Sequence, residues 1–235
     1  MDNELTTTKT QLRKLKEPLK RRTFIKYASA SAGTVALIVT GCKDDDVVND
    51  QGVDLGSGDT GILNYAYALE QLEAAFYITV VSNSAFAATF SVAEQAILTD
   101  IRDHEIIHRD FLKTALGGAA IQDLEVDFTA VNFSNRESVL NTAKTFEDLG
   151  VSAYNGAGKL LADAGLLLVA GKIVSVEARH AAAIRDLLNP KSADFAGDNV
   201  VDASGLDGAK TPIEVLTAAD PFIKTKINGS NLPTT

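Results

Sequence analysis

The chain has 235 residues, 46% of them apolar, with no Trp, one Cys and a formal net charge of −9, which is material for one helix-rich domain with extensions and excludes a disulfide framework. The charge is uneven: residues 1–41 carry eight Lys/Arg and three acids, leaving 14 basic and 28 acidic groups beyond them, a net of −14. Such a domain repels nucleic acid and anionic lipid and attracts cations.

The first segment reads as an address. Arg21-Arg22-Thr23-Phe24-Ile25-Lys26 is a twin-arginine sequence, followed by a mostly apolar run from Tyr27 to Thr40 that is short for a membrane span. Val39-Thr40-Gly41-Cys42 ends it with small residues before a cysteine. A basic region, a short apolar region and such a cut site make a signal peptide over residues 1–41. It resembles a bacterial lipoprotein signal of the twin-arginine type, although Val39 stands where Leu is more usual. The resemblance implies that Cys42 becomes the lipidated first residue, that the protein is exported after folding, and that its address is the outer membrane and periplasm. Lys43-Asp44-Asp45-Asp46 resembles a surface-export signal of Bacteroidetes lipoproteins, and reads equally as a solvated tether. A basic segment with a short anchor helix is the alternative for the whole region. Residues 42–58, rich in Asp and Gly, read as an acidic flexible tether.

Residues 59–190 read as four helices. The first is expected from about Asp59 to Val81, with Glu70, Glu73 and Tyr77 on one stripe, and a loop follows over Ser82–Phe90. The second opens at the capping box Ser91-Val92-Ala93-Glu94 and runs to about Leu116 before Gly117-Gly118. It carries Glu105 and His108, while His104 points about 100° away from Glu105 and reads as a surface or outer-sphere residue. Residues 119–134 lack a helical period; Leu124, Val126 and Phe128 alternate, as in an extended segment laid on a helix. Extended, they span up to about 50 Å, enough to cross the bundle. The third helix opens with Ser134-Asn135-Arg136-Glu137, read as a second capping box, and runs to about Ala162 through Glu147 and Tyr154. Gly150, Gly156 and Gly158 weaken it but permit close approach of a neighbour. After the turn Asp163-Ala164-Gly165 the fourth helix runs from Leu166 to Leu188 with Glu177 and His180, and Asn189-Pro190 ends it. The extension 191–235 holds one short helix near 212–218, capped by Thr211 with Pro212 at its first position, and Pro221-Phe222-Ile223 as a docking segment.

The chain says one thing twice. Glu70 and Tyr77, then Glu147 and Tyr154, are each seven residues apart; Glu105 and His108, then Glu177 and His180, each form Glu-x-x-His. There are only three His in the chain and two have Glu three residues before them, so chance is a poor explanation. Residues three apart lie on one helix face, and a carboxylate in a bundle core is costly unless paired or metal-bound. Four glutamates and two histidines converging in an all-α four-helix bundle would make a two-metal site. Glu/His ligation suits iron, manganese or zinc. Glu73 competes with Glu70 for the ligand role, but the repeat favours Glu70, because Glu73 matches Gly150. No phosphate loop, Ser–His–Asp order or basic-aromatic patch is found.

The segments Leu69-Glu70-Gln71-Leu72-Glu73-Ala74-Ala75-Phe76-Tyr77, His104-Glu105-Ile106-Ile107-His108 and Val176-Glu177-Ala178-Arg179-His180-Ala181-Ala182 resemble the ferritin-like superfamily, most closely a branch that includes plant desiccation-related proteins. The resemblance covers about residues 60–225. It implies a ferritin-like bundle with one long crossover between helices 2 and 3. It also implies two metal ions, usually iron, with manganese as the alternative. Glu70 and His108 would be terminal ligands of one metal, Glu147 and His180 of the other, and Glu105 and Glu177 would bridge. Tyr77 and Tyr154 would stand near the site, to donate a hydrogen bond or pass an electron; core filling is the plainer reading. The implied activity is a di-iron oxidoreductase, ferroxidase- or peroxidase-like, with an electron donor that the sequence does not identify. The alternatives are a non-catalytic metal-binding or stress-protective bundle and a dimanganese catalase-like reaction. A homodimer stays open; a closed mineral shell is not expected of a lipid-tethered chain with a long tail.

Overall fold

The computed structural model describes residues 52–234. The expected signal peptide, Cys42 and the acidic stretch as far as Gln51 lie outside the described residues.

The chain enters as a short strand β1 (Val53–Asp54) and passes into α1 (Gly58–Ser82), α2 (Phe86–Thr89), α3 (Val92–Leu116), α4 (Arg136–Gly158), α5 (Ala164–Leu188), α6 (Pro212–Ala219) and a last strand β2 (Ile227–Asn228). Helices α1 and α3 pair along their length, as do α4 and α5, and the two pairs close against each other, α1 on α4 and α3 on α5. Residues 119–134 are the long connection between the pairs.

A surface helix shows one apolar stripe. Helix α1 instead is buried nearly all round, with Tyr65, Tyr67, Ala68, Leu72, Ala74, Phe76 and Tyr77 all at 1% exposure or less. The crossover covers its outer side. Two buried amides on α1 satisfy the crossover's backbone: Asn64 accepts from the Ile121 N–H and donates to the Ala119 carbonyl, and Gln71 accepts from the Leu124 N–H. An extended segment with no strand beside it needs such partners. The C-terminal extension supplies the rest, since Asp127 N–H donates to Phe222 and Lys224 N–H to Glu125, and Val126 bridges Ile223 in antiparallel sense. Leu124, Val126 and Phe128 pack on the core, as their alternation predicts. Phe222 meets Phe146 edge-on at 4.7 Å, so the docking segment does reach the bundle.

The helix ends follow local chemistry. Ser91 and Glu94 form the expected capping box on α3, and Thr211 and Glu214 another on α6, which spans Pro212–Ala219 with Pro212 in its first turn. Such caps contribute about 1 kcal/mol each. Asp163 caps α5 by accepting from Gly165 and Leu166, so that helix starts at Ala164, earlier than Leu166.

Four further expectations are corrected. The loop 82–90 contains the single turn α2. Asn135, not Ser134, caps α4 through the Ser138 N–H, which places Glu137 one residue short of a capping box. Helix α4 ends at Gly158 rather than Ala162; the N–H groups of Ala162 and Asp163 turn instead to the Asp59 carboxylate at the start of α1. Finally, residues 53–58 are not a free tether. Val53 and Asp54 pair in parallel with Ile227 and Asn228, and Leu55 is fully buried.

Two glycines of α4 do permit close approach. A Cβ on Gly156 would collide with the Lys210 carbonyl of the extension, and one on Gly150 would lie 2.9 Å from a Glu73 carboxylate oxygen.

Candidate metal centre

Each central helix brings inward groups to one level. Helix α1 supplies Glu70, Glu73 and Tyr77; α3 supplies Glu105 and His108; α4 supplies Glu147 and Tyr154; α5 supplies Glu177 and His180. Glu70, Glu105, Glu147 and Glu177 are all at 0% exposure and His180 at 4%. The i, i+3 spacing turns each Glu and His of a pair toward the same volume. Two overlapping groups result: Glu70, Glu105, His108 and Glu177, and Glu105, Glu147, Glu177 and His180, each with one ligand atom per residue within 4.8 Å of the others. Glu105 and Glu177 belong to both.

The geometry repeats about a local two-fold relation. His108 Nδ1 lies 2.8 Å from Glu177, 3.6 Å from Glu70 and 3.8 Å from Glu105. His180 Nδ1 lies 2.8 Å from Glu105, 3.5 Å from Glu147 and 3.7 Å from Glu177. The tyrosines cross between the halves: the Tyr77 hydroxyl donates to Glu147 Oε1 and the Tyr154 hydroxyl to Glu70 Oε1, both at 2.5 Å.

The remaining atoms test whether a metal fits. Glu70 Oε2, Glu147 Oε2, both oxygens of Glu105, both of Glu177 and Nδ1 of each histidine are buried and have no hydrogen-bond partner. The nearest imidazole–carboxylate contacts are short but badly aimed as hydrogen bonds. Orphaned buried polar atoms are rare in folded proteins because each costs about 1–3 kcal/mol. Here they cluster at one point and are all N or O donors, so the residues fit a hard or borderline divalent cation.

The electrostatics agree. Burial disfavours protonated His108 and His180, but the carboxylates around each outweigh it and push both up to about 12 in the metal-free protein. Burial raises Glu147 to about 7, and raises Glu105 well above its usual range. The set titrates as a unit: without a metal, protons on the imidazoles do part of the work of a cation.

All six residues expected as ligands from the sequence come together, and both tyrosines stand beside them. Glu70 rather than Glu73 belongs to a metal-competent group. Glu73 is nonetheless inside, 3% exposed, with its carboxyl over Gly150. Burial above all, then the charges of Glu105, Glu177, Glu147 and Glu70, push it well above the carboxylate range, so it holds its proton. The buried Tyr65 hydroxyl has no hydrogen-bond partner, and burial pushes it above the usual tyrosine range. His104 is exposed, yet its Nδ1 lies 2.9 Å from His180 Nε2. That contact is not evident from the angle between His104 and Glu105; the available signal is that His104 precedes His108 by one turn and so shares its face.

Among the described residues no helix is long and apolar enough to cross a membrane. Comparison with curated proteins gives no match. A family model described as the ferritin-like domain matches residues 58–190, more than half of the chain and the whole of α1 to α5. The chain therefore belongs to the ferritin-like domain family.

Proposed function

We propose that this is an envelope-anchored oxidoreductase whose bundle core holds a dinuclear metal centre, iron with manganese as the alternative, acting on dioxygen or peroxide in stress protection. The observation that carries the reading is the set of eight partnerless buried donor atoms on Glu70, Glu105, His108, Glu147, Glu177 and His180. They divide evenly. One metal would be held by Glu70, His108, Glu105 and Glu177, and the other by Glu147, His180, Glu105 and Glu177. When bound, a ferrous pair supplies two electrons and open coordination positions for a small oxygen substrate.

The chain's own groups set the conditions. The Tyr77 and Tyr154 hydroxyls occupy Glu147 Oε1 and Glu70 Oε1, so each terminal carboxylate offers one oxygen inward. Phe76 packs edge-on against Tyr77, and Phe128, Phe133 and Phe146 gather around Phe76, an apolar cluster on that side of the core. His108 keeps 12% side-chain exposure while the four glutamates are fully buried, so it is the member of the cluster through which a small substrate would reach the core. Lipidated Cys42 would hold the domain at the outer membrane, on its periplasmic side or at the cell surface, and electrons would come from a separate donor.

A dimanganese catalase-like reaction is the second reading. It is favoured by the single cysteine, which leaves no rubredoxin-like segment to deliver electrons. Elemental analysis of the purified domain, with peroxide turnover measured with and without ferrous iron, decides. Iron with oxygen-dependent absorption and reductant-dependent turnover supports the first reading; manganese with unassisted peroxide dismutation supports the second. Bound metal without turnover leaves a non-catalytic, stress-protective bundle, and absence of metal ends both.

A further inference from the structure

The two histidines of the centre are held alike on the inside and differently on the outside. His180 meets His104 through its outer nitrogen: Nε2 to Nδ1 is 2.9 Å, the rings are within 10° of parallel, and their centroids are 5.2 Å apart. Nitrogens that close with centroids that far apart mean the rings join edge to edge, in the manner of a hydrogen bond. Among the described residues the ring of His108 has no hydrogen-bond partner, and its Nδ1 only approaches the carboxylates. The internal repeat explains why. His104 stands one residue before Glu105, and the matching position, one residue before Glu177, is Val176, which can accept nothing.

We propose that His104 is a positioning residue that fixes the tautomer and orientation of His180, and thereby makes the Glu147/His180 metal position tighter than the Glu70/His108 position. The inference rests on the metal-centre reading given above. Its logic is one of proton placement. His180 Nδ1 faces the carboxylates. To offer a lone pair there, a neutral imidazole must carry its proton on Nε2. That proton points at His104 Nδ1, which accepts it when the exposed His104 ring keeps its own proton on Nε2, toward water. The opposite arrangement, with His104 donating, would put the His180 proton on Nδ1 and turn an N–H into the metal position. Metal-ligating histidines commonly donate their second N–H to a fixed acceptor, and loss of that acceptor costs about 10–100-fold in metal affinity. Among the described residues only His180 has one.

Mn(II) titrated into the metal-free protein, with free Mn(II) followed by electron paramagnetic resonance, should give two binding steps of unequal affinity. His104→Ala should weaken the tighter step about 10–100-fold and leave the weaker unchanged, merging the two. His104→Gln should restore much of the separation, because its carbonyl oxygen can accept the same proton. Val176→His should tighten the weaker step by giving His108 an acceptor. Equal affinities in the wild type, or an equal loss of both steps in His104→Ala, would overturn the proposal. A second readout needs no metal. In imidazole ¹⁵N–¹H correlation spectra the His180 Nε2 proton should be protected from exchange in the wild type and lose protection in His104→Ala. Protection with no Mn(II) uptake would sink the metal-centre reading and, with it, the affinity claim. Uptake of two Mn(II) without that protection would sink the role of His104 alone.

Discussion

The half of the core built from α1 and α3 and the half built from α4 and α5 offer the same groups at matching distances, and two of the positions at which they differ lie against those groups. Where α1 has Glu73, α4 has Gly150; where α3 has His104, α5 has Val176. The matching groups are those that would touch a metal, and their geometry is tied to a common centre. The unmatched ones lie outside it, where one half can change without the other. A buried carboxyl and the space it fills make one such pair, since a Glu73 oxygen lies 2.9 Å from where a Cβ on Gly150 would stand.

The largest effect should come from breaking what the halves share. Glu105 belongs to both metal-competent groups, so Glu105→Ala with His108→Ala should reduce bound metal to near zero by elemental analysis. His180→Ala alone should remove only the position that His180 serves. Unchanged metal content in the double variant would mean that the metal is held elsewhere.

The next tests the first unmatched position. Glu73 titrates well above its usual value in the folded protein and near it when unfolded. The folded state thus binds the proton more tightly, and the Glu73 contribution to stability falls as pH rises from the unfolded value toward the folded one. Glu73→Gln keeps the shape and removes this loss. Metal-free Glu73→Gln should gain progressively on the wild type as pH rises above the usual carboxylate range. Urea unfolding at pH 5 and pH 8 measures it, and a gap that does not widen with pH would show that Glu73 does not hold its proton.

Tyr77→Phe and Tyr154→Phe compare the halves directly. Each removes one buried hydrogen bond to a carboxylate, worth about 1.5–3 kcal/mol, and the two losses should be equal within error because both bonds are 2.5 Å long. Thermal unfolding of the two variants checks this. A large inequality would mean that the two halves do not hold their terminal carboxylates alike.

The convergence of the six side chains was legible in the sequence because it rests on local rules. An i, i+3 pair lies on one face wherever the helix goes, and the repeat supplied Glu70 over Glu73. The crossover was legible from the alternation of Leu124, Val126 and Phe128 and from its length. What depends on packing between distant segments was not. No local pattern places Val53 beside Ile227, so residues 53–58 read as tether. That Tyr77 reaches Glu147 rather than a residue of its own half follows only from the way α1 lies against α4. His104 has the same lesson: its angle from Glu105 placed it outside, correctly, but its contact with His180 depends on the closeness of α3 and α5.

The smallest effect concerns the pair at which the comparison began. Alanine is favoured over glycine in a helix interior by about 0.8–1.0 kcal/mol, and Gly150 lies inside α4. A Cβ there meets Glu73 Oε1 at 2.9 Å, the far end of a flexible chain, so the carboxyl must move. In the wild type the two terms oppose, and Gly150→Ala should change stability by less than about 0.5 kcal/mol. In a Glu73→Ala background the obstruction is gone and the same substitution should stabilise by close to the full helix difference. The double-mutant cycle therefore returns a coupling of about 0.3–1.5 kcal/mol between positions 73 and 150. Additive effects would mean that the Glu73 carboxyl does not occupy the space Gly150 leaves, and that the missing side chain in α4 has no bearing on the extra one in α1.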